Sequence, residues 1–391
     1  MARVYMTQSA MSEKSSMRIL HVYKTYFTDT MGGIEQVLLQ LTRGLSDWGV
    51  QNRLLVVSPN ARPAVIARPE ADVYRYPITA QLASNPVSWQ AMRSFKQHLA
   101  WADVVHYQFP WPFADLLHQL HQDRKPSIVT YQSDIVRQKK LMTLYRPLMS
   151  RFLDAVDIVV ATSPNYLDTS KVLSQLARRP EVIPNGLDTS SCPPAPEELV
   201  AHWRQALGEG FFLFVGVLRY YKGLETLVLA ASRVSALIVI AGAGPEQERL
   251  RGLAEAGAVK NIRFLGHVSD QDKAALLQLA RVFVFPSHLR SEAFGMSLVE
   301  AAMYAKPMIS CDIGSGTSYI NQHGVTGLVV PPEAPQALAS AMERFLQEPG
   351  LAWTMGQAAR QRYKQLFTGE RMAASYFDAY QRLLANRSVC Q

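Results

Sequence analysis

Three cysteines in 391 residues, Cys192, Cys311 and Cys390, are too few and too scattered for a disulfide framework, and their spacing fits no metal or redox motif. A reducing cytoplasm is the simplest setting for them. Long apolar runs are missing too. Blocks such as 236–241 and 158–161 are strand-sized, well short of the ~20 residues a spanning helix needs. Residues 1–16 are polar and rich in Ser and Met, without the apolar block of a signal peptide; a flexible tail is expected there, and Met17 could serve as an alternative start. A complete dinucleotide fingerprint is absent: Ala241-Gly242-Ala243-Gly244-Pro245-Glu246 follows a strand pattern, but Gln247 stands where the third glycine belongs, so a plain turn is expected. Paired carboxylates at metal-ligand spacing occur at Asp270-Gln271-Asp272, yet Ser269 before them marks a helix start, and capping explains the pair. No essential metal is expected. Nor does a nucleic-acid-binding module accompany the net charge of +8.

What the chain does have is strand–helix alternation from end to end. Strand patterns fall at 17–23, 53–58, 103–106, 127–131, 157–161 and 181–183, then at 211–216, 236–241, 261–265, 282–285, 307–310 and 327–330. Helix-period segments such as 34–48, 137–152, 222–234, 270–280, 295–304, 334–347 and 370–385 lie between them. That order predicts an α/β protein with parallel sheets covered on both faces. The series breaks at Pro184-Asn185-Gly186 and the prolines 193, 194 and 196. Two doubly wound domains facing each other across a cleft are therefore expected, residues 17–185 and 199–370, joined by a linker at 186–198. A helix at 371–391 could cross back to the first domain. Ligands belong at the carboxyl ends of the strands.

The most informative stretch follows the strand 282–285. In Arg290-Ser291-Glu292-Ala293-Phe294-Gly295-Met296-Ser297-Leu298-Val299-Glu300, two carboxylates bracket a helix start and a glycine leaves the backbone bare between them. On a helix, Glu292 and Glu300 would lie ~12 Å apart along the axis and less than a quarter-turn out of line. That suits an elongated ligand with hydroxyls at both ends and charge near its middle, which helix N–H groups would meet; an amphipathic helix with solvated glutamates gives the same pattern. Arg219 and Lys222 follow the strand ending at Gly216, three residues apart, where a bidentate fork and a point charge could clamp a diphosphate or simply face water. Gly32-Gly33, between the first strand and a helix, permits close approach of a phosphate or sugar, or only a tight turn.

Charge is lopsided. Up to Asn185 there are 21 Lys and Arg against 14 Asp and Glu; beyond it, 19 against 18. Arg137, Lys139, Lys140, Arg146 and Arg151 alternate with Leu141, Met142, Leu144, Tyr145, Leu148 and Met149. This basic amphipathic helix suits an anionic membrane surface, or is an ordinary helix with a solvated basic face.

Together the glycine loop, Arg219 and Lys222, the Glu292/Glu300 motif and the Pro184-Asn185-Gly186 linker resemble the retaining glycosyltransferases of family 4, which have the two-domain GT-B fold. The resemblance covers residues 17–385. His21-Val22-Tyr23-Lys24-Thr25-Tyr26-Phe27 and Tyr131-Gln132-Ser133-Asp134-Ile135-Val136-Arg137-Gln138 narrow it to bacterial mannosyl- and rhamnosyltransferases of O-antigen and related polysaccharide assembly, many of which use GDP-linked sugars. By that resemblance Glu300 would hold the ribose hydroxyls, and Glu292 with the backbone of Phe294, Gly295 and Met296 the donor sugar. Arg219 and Lys222 would take the diphosphate, Gly32 and Gly33 border the reaction centre, and His267 and Val268 lie near the base. Gln132 stands where many relatives carry a histidine; it can position a sugar hydroxyl but cannot take a proton at neutral pH. His106, at another strand end, is either an acceptor-side residue or a structural histidine.

The activity implied is transfer of a hexosyl group, mannose or D-rhamnose type, from a GDP-linked donor with retention. No cofactor is required. The acceptor would be a saccharide, lipid-linked on undecaprenyl diphosphate, reached by a cytoplasmic enzyme peripheral to the membrane. A UDP-sugar-dependent transferase, a soluble disaccharide synthase, an epimerase and a non-catalytic nucleotide-sugar-binding subunit remain as alternatives.

Overall fold

The computed structural model describes residues 17–30, 32–82, 85–121, 125–135 and 139–388. The expected tail at 1–16 lies outside them, as do Arg137 and Cys390, and the side chains of Lys139, Lys140 and Leu141 are likewise undescribed.

Sixteen strands occur among the described residues. The first ten are β1 (Arg18–Val22), β2 (Gln51–Ser58), β3 (Val65–Ala67), β4 (Asp72–Pro77), β5 (Ala80–Leu82), β6 (Asn85–Val87), β7 (Val104–Phe109), β8 (Ser127–Tyr131), β9 (Ile158–Ala161) and β10 (Glu181–Val182). The remaining six are β11 (Phe212–Val215), β12 (Ile238–Ala241), β13 (Ile262–Gly266), β14 (Val282–Phe285), β15 (Met308–Cys311) and β16 (Gly327–Val330). An eight-stranded sheet has the order β10-β9-β8-β7-β1-β2-β4-β3, a six-stranded sheet the order β13-β12-β11-β14-β15-β16, and β5-β6 form a separate hairpin. In the six-stranded sheet every pairing is parallel. Its central strands are buried along their whole length, which is why they read as unbroken apolar runs such as Val282-Phe283-Val284-Phe285.

Both sheets contain a point where the winding direction reverses. In the first, β1 lies between β7 and β2; in the second, β11 lies between β12 and β14. Loops leaving adjacent strands diverge there and open a crevice at the carboxyl ends. The Gly216–Lys222 loop leaves β11, and the Pro286–Glu292 loop leaves β14.

Among the described residues, those of Met1–Thr130, Tyr145–Ile158 and Ala373–Gln391 form one compact unit, and those of Tyr131–Leu144 and Val159–Met372 form the other. This division differs from a single boundary at Asn185. Segments 131–135 and 159–185 belong with the second unit through side-chain bonds: Arg290 to Asp134, Asn165 to Ser318, and Thr169 to the carbonyl of Gly314. The linker is pinned as well. Leu187 N–H donates to the Phe367 carbonyl, and a Cβ on Gly186 would sit 2.2 Å from the Thr368 carbonyl oxygen, so only glycine fits there.

The first unit is held by a buried polar network. His21 on β1 is the register partner of His106 on β7, with ring centroids 5.4 Å apart. His106 Nδ1 is 2.7 Å from the Tyr380 hydroxyl and Nε2 is 2.7 Å from Thr130 Oγ1, which in turn meets the Tyr376 hydroxyl at 2.6 Å. Tyr376 and Tyr380 belong to the C-terminal helix Gly369–Ser388. His106 is therefore not a cleft residue. It is fully buried, and its partners among the described residues include Tyr380, Thr130 and Gln108.

Burial lowers the His21 pKa to about 4 against the hydrogen bond its Nε2 donates to Asn52 Oδ1, and it drives His106 well below the ordinary range, helped by His21. Both rings are neutral when folded, whereas the unfolded chain takes up protons below about pH 6.5. Their contribution is therefore complete above about pH 6.5 and is lost as pH falls toward 4. Asp115, pushed up to about 8 by burial, acts in the opposite sense over this range. Replacing His21 with Gln should accordingly flatten the fall in Tm between pH 6.5 and 4.5 relative to the parent protein, as read by thermal melts; equal slopes would count against it.

Candidate active site

The crevice above β11 and β14 is built by two loops that touch through their backbones. His288 N–H donates to the Tyr221 carbonyl at 3.0 Å. Gly223 adopts the left-handed conformation (φ +66°), and a Cβ there would lie 1.9 Å from the Pro286 carbonyl oxygen. Glycine is thus required on both counts. The contact swings Lys222 over the Phe285 ring, 4.7 Å from its centroid, and brings its Nζ onto the Glu292 carboxylate in a short ion pair. Both side chains are about nine-tenths buried. In such surroundings a charge pair persists only with close geometry and further polar partners. In the same loop, Ser287 Oγ and His288 Nδ1 are buried without a hydrogen-bond partner among the described residues.

Gly295, at φ +99°, turns the chain into the helix Met296–Met303, and no side chain caps that helix start. Leu298, Val299, Ala301 and Ala302 face the core, leaving Met296, Ser297 and Glu300 on the partly exposed face. Glu300 is met by Lys273 at 2.8 Å, and Lys273 also pairs with Asp270 at 3.1 Å. Burial alone would lower the Lys273 pKa; the Glu300 carboxylate outweighs it and raises it. Each glutamate of the motif is therefore held by a lysine from another segment. Lys273 was missed in the sequence because it lies in the run already explained by capping, and that capping box, Ser269 with Asp272, is present.

Phe294 is a core residue, its ring 6.1 Å from that of Phe367 and tight against Gly316, so only its backbone is free for a ligand. Arg219 has an exposed side chain at the start of the turn Tyr220–Lys222. His267 is exposed just after β13, and Val268 packs on the core. Gln132 is buried, with Asn185 Nδ2 donating to its Oε1 at 3.2 Å. Gly32 starts the helix Gly33–Asp47 in the first unit, where a Cβ would strike the Glu35 carboxylate at 2.5 Å; Glu35 accepts bonds from Thr25 and Thr30 and so shapes the loop. Nothing lies within 4 Å of a Cβ on Gly33. Gly242 and Gly244 owe their identity to the backbone of Gly216 and Leu218, 2.0 and 2.5 Å from their would-be Cβ atoms, which accounts for the broken fingerprint.

Residues 197–362 match the family model of glycosyl transferases group 1, and residues 31–191 that of Glycosyltransferase Family 4. Over 352 residues, 90% of this chain and 92% of the relative, the sequence is 53% identical to D-rhamnosyltransferase WbpZ of Pseudomonas aeruginosa. The chain belongs to the family 4 glycosyltransferases. This glycosyltransferase is also 44% identical over 372 residues to O-antigen chain mannosyltransferase C of Escherichia coli, covering 95% of this chain and all of the relative. Among solved structures, sucrose-phosphate synthase from Thermosynechococcus elongatus aligns over 95% of this chain and all of its own length with a TM-score of 0.79 at 23% identity. Anabaena HepE in complex with UDP aligns over 94% and all of its own, with a TM-score of 0.78 at 17% identity. At those identities the likeness shows the fold, and the fold is GT-B.

Gly223→Ala should cost on the order of 1–3 kcal/mol from the left-handed backbone alone. The displaced loop should also lower the rate of sugar transfer. Thermal melts and turnover measured together check this, and an unchanged Tm with normal turnover would show that the two loops are not held as described.

Proposed function

We propose that the chain transfers a hexosyl group, of the mannose or D-rhamnose type, from a GDP-linked sugar to a lipid-linked saccharide in the synthesis of O-antigen or a related surface polysaccharide, with retention at the anomeric carbon. The observation that carries this reading is the Lys222–Glu292 pair at the strand ends where the sheet reverses. Similarity over nine-tenths of the chain to a protein named a D-rhamnosyltransferase and to one named an O-antigen mannosyltransferase supports the choice of sugar.

In this scheme the donor's sugar hydroxyl donates to the Glu292 carboxylate while its diphosphate takes over Lys222, joined by Arg219 and by the uncapped helix start at Gly295. As the bond between the anomeric carbon and the phosphate oxygen breaks, charge grows on the departing diphosphate. Fixed cations and amides there stabilise the transition state more than the ground state. The acceptor oxygen bonds the same face of the anomeric carbon, and its proton passes to the departing phosphate. No oxidation occurs, so no redox cofactor enters, and the positive charge is supplied by side chains rather than by a required metal ion. Glu300, released from or shared with Lys273, would hold the ribose, and Gln132 would orient a sugar hydroxyl without taking its proton.

No helix among the described residues is long and apolar enough to cross a membrane. We place the enzyme on the cytoplasmic face, where the helix Lys139–Ala155 would meet anionic lipid; Leu144 is 84% exposed on it, and Arg146 and Arg151 are exposed as well. Sedimentation with phosphatidylglycerol-containing vesicles but not with phosphatidylcholine alone is the expected result, weakened by Arg146→Glu with Arg151→Glu. Equal recovery with both lipids would remove the membrane contact from the scheme.

A panel of GDP-mannose, GDP-D-rhamnose, UDP-glucose and UDP-N-acetylglucosamine, with crude lipid acceptor, tests the donor. Label from a GDP-sugar should appear in the lipid fraction. Label in a soluble disaccharide, an epimerised donor, or transfer only from a UDP-sugar would each replace this reading with the corresponding alternative, and binding without release of nucleoside diphosphate would indicate a non-catalytic subunit. Lys222→Ala and Glu292→Ala should each lower kcat about 100-fold or more; near-normal turnover in folded variants would refute their roles.

A further inference from the structure

Neither the twin glutamates nor the cations account for a heavily bonded carboxylate near the site. Asp134 lies two residues after Gln132, and Arg290 two residues before Glu292. Arg290 Nη2 donates to Asp134 Oδ2 at 3.1 Å. The other oxygen, Oδ1, accepts from the Tyr131 hydroxyl and from Ser170 Oγ, each at 2.9 Å, and Asp134 N–H donates to the Tyr166 hydroxyl at 2.5 Å. Arg290 is equally committed. Its Nη1 donates to Thr169 Oγ1 at 2.6 Å and to the Gly314 carbonyl, and its guanidinium lies 4.7 Å from the Tyr166 ring centroid.

An exposed ion pair of two flexible side chains contributes little. This one is different in kind: both partners are largely buried, at 21% and 27% exposure, and between them they bond to residues 131, 166, 169, 170 and 314. A planar fork with several fixed acceptors holds its orientation where a lysine would swivel. Arg290 also lies inside the turn closed by Glu292 N–H on the Leu289 carbonyl at 3.0 Å, so the same turn presents both side chains.

We propose that Asp134 and Arg290 are a positioning pair for sugar transfer: they lock the segment carrying Gln132 against the turn carrying Glu292, fixing the two residues relative to each other before the donor arrives. The proposal rests on the transferase reading above. Misplacement of a positioned group by about 1 Å lowers turnover by up to 100-fold while leaving binding by other groups in place. Diphosphate and ribose are gripped by Lys222 and Glu300, neither of which bonds to the pair, so the loss should fall on kcat.

The test uses Asp134→Asn, Asp134→Glu, Arg290→Lys and the Asp134→Asn/Arg290→Lys double variant of the full chain, with whichever panel donor the parent protein uses. Asp134→Asn and Arg290→Lys should each lower kcat on the order of 10- to 100-fold with donor KM within about threefold. The double variant should be no worse than the poorer single one, because the two act as a unit; Asp134→Glu should recover part of the rate, with Tm little changed throughout. Without any substrate, hydrogen exchange in peptides covering 289–296 should quicken in Asp134→Asn. Turnover within twofold of the parent, losses that multiply in the double variant, a fall in kcat that tracks unfolding, or unchanged exchange would overturn the proposal. A parent protein that transfers sugar from no donor in the panel would overturn the transferase reading and the catalytic role with it, while the exchange measurement would still judge whether the clamp exists.

Discussion

Lys222 and Glu292 meet because two parallel strands at the reversal point of the second sheet send their loops to the same place, and much of the site follows from that ion pair. The lysine reaches the carboxylate only if Gly223 lets its loop lie on Pro286. The carboxylate is presented only if Gly295 turns the chain from β14 into its helix. A largely buried pair of this sort contributes modestly to stability, since desolvation opposes attraction. It keeps a cation and an anion preformed, desolvated and close, and under the transfer proposed above they would exchange each other for a phosphate and a hydroxyl.

The same construction recurs at three further polar positions of the second unit. Glu300 is answered by Lys273, Asp134 by Arg290, and Gln132 by Asn185. Every one of these bonds spans many residues of chain. Their combined effect is a rigid set of polar groups at the strand ends, supported from behind by apolar strands that tolerate no water. Such preorganisation is what lets electrostatics act on a transition state without first reorganising the surroundings.

The first unit uses polar groups for a different purpose. His106, Thr130, Tyr376 and Tyr380 join β7 and β8 to the C-terminal helix through hydrogen bonds sealed from solvent, and the His21 ring on β1 packs against His106. A histidine at a strand end reads the same in sequence whether it lines a ligand cavity or is buried. For His106 the neighbours decide, and the tyrosines that decide it lie some 270 residues further along the chain. β4 escaped sequence reading for a related reason: Arg75 interrupts its apolar pattern, yet it is buried because the Asp29 carboxylate and backbone carbonyls at 60, 62 and 63 satisfy its guanidinium.

Sequence by itself determined the α/β class, the parallel order implied by buried apolar strands, the helix start between Glu292 and Glu300, and the cations after β11, because each rests on local periodicity or spacing. Phe294 and Lys273 show where that information ends. One sits in the motif but belongs to the core; the other lies outside it but holds a motif carboxylate. Which polar residues pair, which strand end carries the crevice, and where the chain divides into units were decided by tertiary structure alone. Those outcomes depend on desolvation and on partners distant in sequence, and a linear pattern carries neither.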